Sequence, residues 1–249
     1  MMNVGLFIPC YVNQFYPQVG IATLELLEKQ GLSVSYPLRQ TCCGQPMANA
    51  GFESTSRETG ILFVQNFRKF DYIVAPSGSC VHHVREHFDV LDQTEEVQHI
   101  RTKTFELCEF LVKVLGMSDL GAEYPFRVGL HQSCHGLRGL HLGKPSETIG
   151  TSFSIPRELL ANVKGLDLIE LDREDECCGF GGTFAVAEEA VSVKMGNDRI
   201  RDHAKHGAEV ITATDMSCLM HLEGLIRRQH IPIEVKHIAE ILNSTATTR

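Results

Sequence analysis

The chain has no surplus of basic residues: 23 lysines and arginines face 31 aspartates and glutamates, for a net charge of −8. No basic run offsets that balance, which argues against a nucleic-acid partner held through its phosphates. No stretch approaches the roughly 18–20 consecutive apolar residues needed to cross a bilayer. No secretory leader is expected either, because the opening apolar run is short, follows no basic segment and contains Pro9. The expectation is a cytoplasmic protein that would meet the inner membrane only peripherally, through partners. Thiols stay reduced in that compartment, so the nine cysteines read as metal ligands or redox groups before they read as disulfides. Two further absences narrow the field. There is no C-x-x-C pair of the kind zinc ribbons use, and no G-x-G-x-x-G turn for a dinucleotide.

What is present is a duplication. The run Glu176-Cys177-Cys178-Gly179-Phe180-Gly181-Gly182 matches the shorter Thr41-Cys42-Cys43-Gly44. Each Cys-Cys-Gly follows an apolar run that ends in a cysteine, Val4 to Cys10 in one half and Val128 to Cys134 in the other. A second such run follows each motif and ends at Cys80 or Cys218. The offset between halves is 124 at Cys10, 135 at Cys42 and 138 at Cys80, so one insertion of 11 residues explains most of the drift. Eight of the nine cysteines fall into two matched sets of four.

The hydrophobic pattern places strands at 3–8, 32–36 and 71–75, and again at 127–131, 167–171 and 210–213. Helices are expected after Val19, over 54–69 and 104–115, from near Pro156, through Val186–Ile200 and from Cys218. The Phe63, Phe67 and Phe70 stripe reads as core, and the polar tail 243–249 as frayed. Strands alternating with such helices imply parallel βαβ units. The expected fold is therefore α/β, two pseudo-repeated Rossmann-like halves (residues 1–122 and 123–249), each a small parallel sheet flanked by helices. Every cysteine cluster then emerges at the carboxyl ends of strands, where ligands of open α/β sheets gather. Two pockets of four thiolates each are the expectation: Cys10, Cys42, Cys43 and Cys80, and Cys134, Cys177, Cys178 and Cys218.

Four thiolates suit an iron–sulfur cluster or a structural zinc ion, and reactive thiols are a third reading. Adjacent cysteines fit a multi-iron cluster better than one tetrahedral ion, because successive side chains on an extended backbone point apart. Gly44, Gly179, Gly181 and Gly182 read as sites of close backbone approach to the bound group, with a phosphate or flavin cradle as the competing reading for the Gly179-Phe180-Gly181-Gly182 run.

The doubled C-x(n)-C-C-G-x(n)-C pattern resembles the cysteine-rich CCG domain family of iron–sulfur proteins. That family includes the heterodisulfide reductase B subunit and the glycolate oxidase iron–sulfur subunit. Two copies in a chain of this length, with Cys177 to Phe184 and Ser133 to Arg138, are most similar to the lactate utilization A group. The resemblance covers nearly the whole chain. It implies a [4Fe–4S]-type cluster, one or two per chain with zinc open for one site, in an electron-transfer subunit of a complex oxidising L-lactate to pyruvate. The implied partners are a ferredoxin-like B protein and a C protein, with a 2-hydroxy acid bound at the level of the complex. In the heterodisulfide relatives the last cysteine belongs to a C-x-x-C pair, whereas here His83 and His221 hold the second position. Those histidines are candidate metal ligands, or contacts to cluster sulfur, or caps of a turn.

The remaining candidates carry weaker signals. Cys108 matches Ala239 and reads as a buried structural thiol. His131 and His135 flank Cys134 as proton carriers or structure. Asp215, Arg138 and Asp172 lie near the expected site edge, and His203 and His206 read as favourable charges at a helix end. With no flavin or nicotinamide motif, the chain reads as an electron carrier rather than a self-sufficient dehydrogenase; a heterodisulfide or thiol–disulfide reductase subunit, a glycolate oxidase iron–sulfur subunit and a zinc-stabilised assembly module stand as alternatives.

Overall fold

Strand-forming runs of Val, Ile and Leu open both halves of the computed structural model, which describes residues 2–245. The first half runs β1 (Asn3–Leu6), α1 (Cys10–Phe15), α2 (Pro17–Lys29), β2 (Ser33–Ser35), α3 (Gln45–Asn49) and α4 (Glu53–Phe67). It continues with β3 (Tyr72–Ala75), α5 (Gly78–His87), α6 (Glu95–Lys103), β4 (Thr104–Glu106) and α7 (Leu107–Glu109), which runs on into a wider helical turn over Phe110–Val114. The second half holds β5 (Arg127–Leu130), a wide turn at His135–Gly139, α8 (Ile155–Ala161), β6 (Asp167–Leu168), α9 (Phe184–Ala187) and α10 (Glu189–Lys205). It closes with β7 (Val210–Ala213), α11 (Met216–Gln229), β8 (Glu234–His237) and α12 (Ile238–Leu242).

The two sheets have the same order, β2-β1-β3-β4 and β6-β5-β7-β8, and every strand pairing is parallel. Helices cover both faces, which is why the central strands are apolar throughout rather than alternating. All four residues of β7 are buried, as are Ile73, Val74 and Ala75 of β3. Each such Ile or Val contributes about 1.5–3 kcal/mol of burial free energy. The expected Phe63 and Phe67 stripe is core: the rings pack with Phe7 and Phe88 under β1, and Phe70 lies partly buried beside them.

Four expectations need correction. Residues 104–115 are not one helix, because Thr104–Glu106 is the edge strand β4, paired to Ile73–Ala75. The Thr-Phe-Glu run is too short to show a period, and only its neighbour β3 makes it a strand. Each sheet thus has four strands rather than three, with β8 in the same role at the carboxyl end. His203 is not a surface charge at a helix end; it is fully buried against Gly129, beneath β5. The start of the tail is tied down: Lys29 Nζ donates to Asn243 Oδ1 at 2.6 Å, and Ser244 is buried. Residues 246–249 of that tail lie outside the described residues.

The halves interlock through their last helices. α12 packs on α2 of the first half, and α7 packs on α8 of the second. Between them the β3–α5 and β7–α11 turns touch, where Ser77 and Asp215 form an antiparallel bridge. No helix among the described residues is long and apolar enough to cross a membrane.

Candidate metal centre

Four positions past each leading strand a cysteine lies at the carboxyl edge of its sheet, Cys10 after β1 ends at Leu6 and Cys134 after β5 ends at Leu130. Cys10 opens α1, directly after Pro9 at its N-cap. Cys80 lies in the first turn of α5, whose N-cap Ser77 accepts the Cys80 N–H at 3.2 Å. Cys42 and Cys43 reach the same edge on the loop after β2. Cys10 Sγ is 3.8 Å from Cys42 Sγ, and Cys43 bridges Cys42 and Cys80 by S–H contacts. The second half repeats this: Cys177 contacts Cys134 and Cys178, and Cys178 contacts Cys218. None of the nine cysteines is in a disulfide.

The glycine of each Cys-Cys-Gly turn has a physical requirement. Gly44 and Gly179 sit at φ +98° and +87°, the left-handed region that L side chains avoid. A Cβ on Gly44 would lie 2.8 Å from Ser56 Oγ, and one on Gly179 would lie 2.7 Å from the Ser192 carbonyl oxygen. The freed N–H groups of Gly44 and Gly179 donate to Cys42 and Cys177 Sγ, at 3.4 Å in both halves.

These contacts polarise each quartet. The thiols of Cys10 and Cys43 pull the Cys42 thiol far below its usual range, helped by the Gly44 N–H, and Cys134 and Cys178 do the same to Cys177. Cys10, Cys43, Cys134 and Cys178 are pushed well up by the same hydrogen bonds and by burial. Each set thus favours a thiolate at Cys42 or Cys177 over its raised neighbours; four thiolates need a cation to offset their repulsion. Metal binding supplies that charge and releases the protons. Clustered soft sulfur donors suit a metal centre.

All eight of these cysteines line one cavity of about 420 Å³ open to solvent, so the expected two separate pockets are two walls of a shared one. Gly181 and Gly182 form part of its rim, both at positive φ (+54° and +63°). Tyr11 from the first half and Phe180 from the second meet edge to face across it, with centroids 6.1 Å apart. No lysine or arginine among the described residues lines it.

His83 is buried behind the Cys42-Cys43-Gly44 turn, and neither of its ring nitrogens has a partner. Burial lowers its pKa to about 4, followed by repulsion from His87. His221, its counterpart, lies 3.4 Å from the Ser192 carbonyl through Nε2. Asp215 is not at the cavity surface but buried in the seam, and His135 lines the cavity. Arg138 is taken up by Glu147 and Asp175, and Asp172 by Lys205 and His206. Asp172, Asp202 and His206 also group closely, but their charges are already met by Lys205 and Arg199. Cys108 is fully buried and apart from both quartets.

Three features escaped the motif reading. Ser56 and Ser192 brace the two Cys-Cys-Gly turns, with Ser192 Oγ donating to the Gly179 carbonyl at 2.8 Å. Gly196 admits His221 beneath the second turn. A ring nitrogen of His131 lies within 4.8 Å of Sγ of both Cys178 and Cys218, and fully buried Arg199 donates to His131 Nδ1. Aligning the halves residue by residue, beyond the cysteines, pairs Ser56 with Ser192 and Gly60 with Gly196, whereas the approach of His131 to Arg199 and to the sulfurs comes from the fold alone.

The fold and site define an α/β protein with two equivalent four-cysteine centres facing one cavity. The chain belongs to the CCG cysteine-rich domain family, whose sequence profile matches residues 4–85 and 128–223. It is 41% identical to lactate utilization protein A of an Exiguobacterium species over 250 residues, 98% of each chain. Its identity to the Geobacillus thermodenitrificans protein of that name is 40%, over 97% of this chain and 99% of the other. Lactate utilization protein A 1 of Bacillus mycoides is 38% identical, over 97% of both.

Proposed function

We propose that this chain is an iron–sulfur electron-transfer subunit of a system that oxidises L-lactate to pyruvate. The names of its full-length relatives support the lactate role. Cys10, Cys42, Cys43 and Cys80 would hold one [4Fe–4S]-type cluster, and Cys134, Cys177, Cys178 and Cys218 a second. Such a cluster takes up and gives back one electron at a time. The observation that carries the reading is the pair of sulfur quartets opening onto one cavity of about 420 Å³. A structural zinc ion is enclosed by its four ligands and leaves no open space before them.

The protein's own residues hold and shield such a group rather than transform a substrate. Gly44 and Gly179 aim backbone N–H groups at sulfur, and Tyr11 and Phe180 restrict water at the mouth. A 2-hydroxy acid carries a carboxylate, and no lysine or arginine among the described residues lines the cavity to receive it. Hydride removal therefore falls to a partner with a two-electron acceptor, with the ferredoxin-like B protein and the C protein as the proposed subunits. The mixed lining of sulfur and aromatic rings also favours a second reading, a thiol–disulfide reductase whose substrate enters between the quartets.

Iron, acid-labile sulfide and EPR on protein purified without oxygen test the proposal. Near-stoichiometric iron and sulfide, lost from one centre in Cys42→Ser and from the other in Cys177→Ser, support it; zinc without sulfide ends it. The same spectra on His83→Ala and His221→Ala assign those histidines. Lost iron means ligation, and retained iron with a shifted signal means contact. Disulfide-dependent oxidation of the reduced protein would favour the reductase.

A further inference from the structure

The two centres have different walls behind them. At equivalent positions, Phe7 of the first half is His131 of the second, and Phe63 is Arg199. The frame is secure because Ser56 and Gly60, at the same offset from Ser192 and Gly196, sit on the same helix as Phe63. Even the packing is shared: Phe67 presses on Gly5 where His203 presses on Gly129. In the first half Phe7 and Phe63 meet edge to face at 4.9 Å, and neither ring offers a donor. The buried imidazole of that half, His83, stands behind the Cys-Cys-Gly turn instead, where His221 is its counterpart in the second half, so the two halves differ at the Phe7/His131 position. In the second, Arg199 is fully buried and its Nε–H points at His131 Nδ1 at 3.3 Å.

That hydrogen bond decides the tautomer. A guanidinium only donates, so Nδ1 of His131 must accept and carries no proton. The ring proton is therefore on Nε2, a buried atom with no protein partner. The ring's near neighbours are the sulfurs of Cys178 and Cys218. With Nδ1 committed to Arg199, His131 is a donor to sulfur rather than a metal ligand through that atom.

We propose that His131, oriented by Arg199, is a hydrogen-bond donor to the sulfur of the second centre and makes it the more oxidising of the two. Hydrogen bonds to sulfur favour the reduced, more negative state of an iron–sulfur group and raise its potential. Most nearby fixed charges are paired: Asp202 with Arg199, Arg173 with Glu176, and Arg138 with Asp175 and Glu147, the surplus carboxylate Glu147 being exposed and screened by solvent. Asp215, in the seam, bonds serines of both halves and so bears on both centres. Electrons then enter at the Cys10/Cys42/Cys43/Cys80 centre and collect at the other. Each one given up by the first is taken up by the second, with no proton moved between them. His131 and Arg199 are positioning residues for that direction. The inference rests on the iron–sulfur reading.

The experiment is an EPR-monitored redox titration of the whole chain, after iron and sulfide analysis, with Cys42→Ser identifying the second centre's signal. In the natural protein the second centre should titrate at the higher potential. His131→Phe should lower its reduction equilibrium on the order of tenfold, about 59 mV for one electron, and leave the first centre unmoved. His131→Asn, which keeps an N–H, should recover part of the shift. Should His131→Phe fail to fold, the triple variant His131→Phe/Arg199→Phe/Asp202→Asn installs the first half's own residues and reads the same shift. Loaded clusters with the second potential unmoved, or lower than the first, overturn this inference alone. Absence of iron and sulfide overturns the cluster reading and this with it.

Discussion

Ser77 Oγ donates to Asp215 Oδ1 at 2.9 Å across the seam between the halves, and the two residues hold the same position in their repeats. Duplication has thus been used asymmetrically. One copy keeps serine as the N-cap of α5, accepting the Cys80 N–H. The other carries an aspartate that does not cap α11 but reaches across the seam.

Asp215 accepts from Ser77 Oγ, from Ser79 through both N–H and Oγ, and from Ser133 Oγ, all within 3.0 Å. Asp215→Ala would leave these buried donors unpaired, at a cost of about 3 kcal/mol. The expected outcome is a clearly lower urea midpoint, with Asp215→Asn intermediate. An unchanged midpoint would show that the seam does not depend on this carboxylate.

The two motif glycines should differ sharply from the rim glycine. Gly44→Ala and Gly179→Ala combine positive φ with a clash below 3.0 Å, and strain of about 1–3 kcal/mol falls on the turn that carries two sulfurs. Each should lose metal from its own centre only. Gly182→Ala has positive φ but open space around the new Cβ, so it should cost about 1 kcal/mol and keep both centres. Equal metal loss in all three would refute the steric account.

Glu106 is fully buried, and burial pushes its carboxyl up to about 8 from its ordinary 4.5. Its Oε2 accepts the N–H groups of Cys108 and Glu109, while Oε1 has no partner. The folded state therefore holds a proton that the unfolded chain has lost above its own pKa. Stability from this group is complete below about pH 4.5 and falls as pH rises towards 8, by up to about 1.4 kcal/mol per unit. Urea midpoints measured between pH 5 and 8 should show that slope, and Glu106→Gln should flatten it. A slope that survives the substitution assigns it elsewhere.

Cys108 is the control among the cysteines. It is buried near Glu106, outside both quartets, so Cys108→Ala should leave iron and sulfide content unchanged and cost about 1 kcal/mol. Loss of metal comparable to that of Cys42→Ser would mean that the ninth thiol takes part.

Much of this was legible in residue order alone. Paired apolar runs, each ending in a cysteine, are local patterns, and a strand buried on both faces writes itself as such a run. Comparing the halves therefore fixed the duplication, the parallel α/β class and the two sets of four cysteines. The edge strands Thr104–Glu106 and Glu234–His237 were not legible, because a strand of three or four residues shows no period and owes its existence to the neighbour it pairs with. Burial of His203, on α10, was equally hidden, since it depends on Gly129, which lies in β5 and leaves room for the ring. Residue order determined which side chains each half supplies. Tertiary structure decided which of them meet: the eight sulfurs around one cavity, Asp215 in the seam, and His131 between Arg199 and the second quartet. Contacts across 68 or 138 residues follow from how the sheets order their strands and how the halves dock, and no local pattern encodes either.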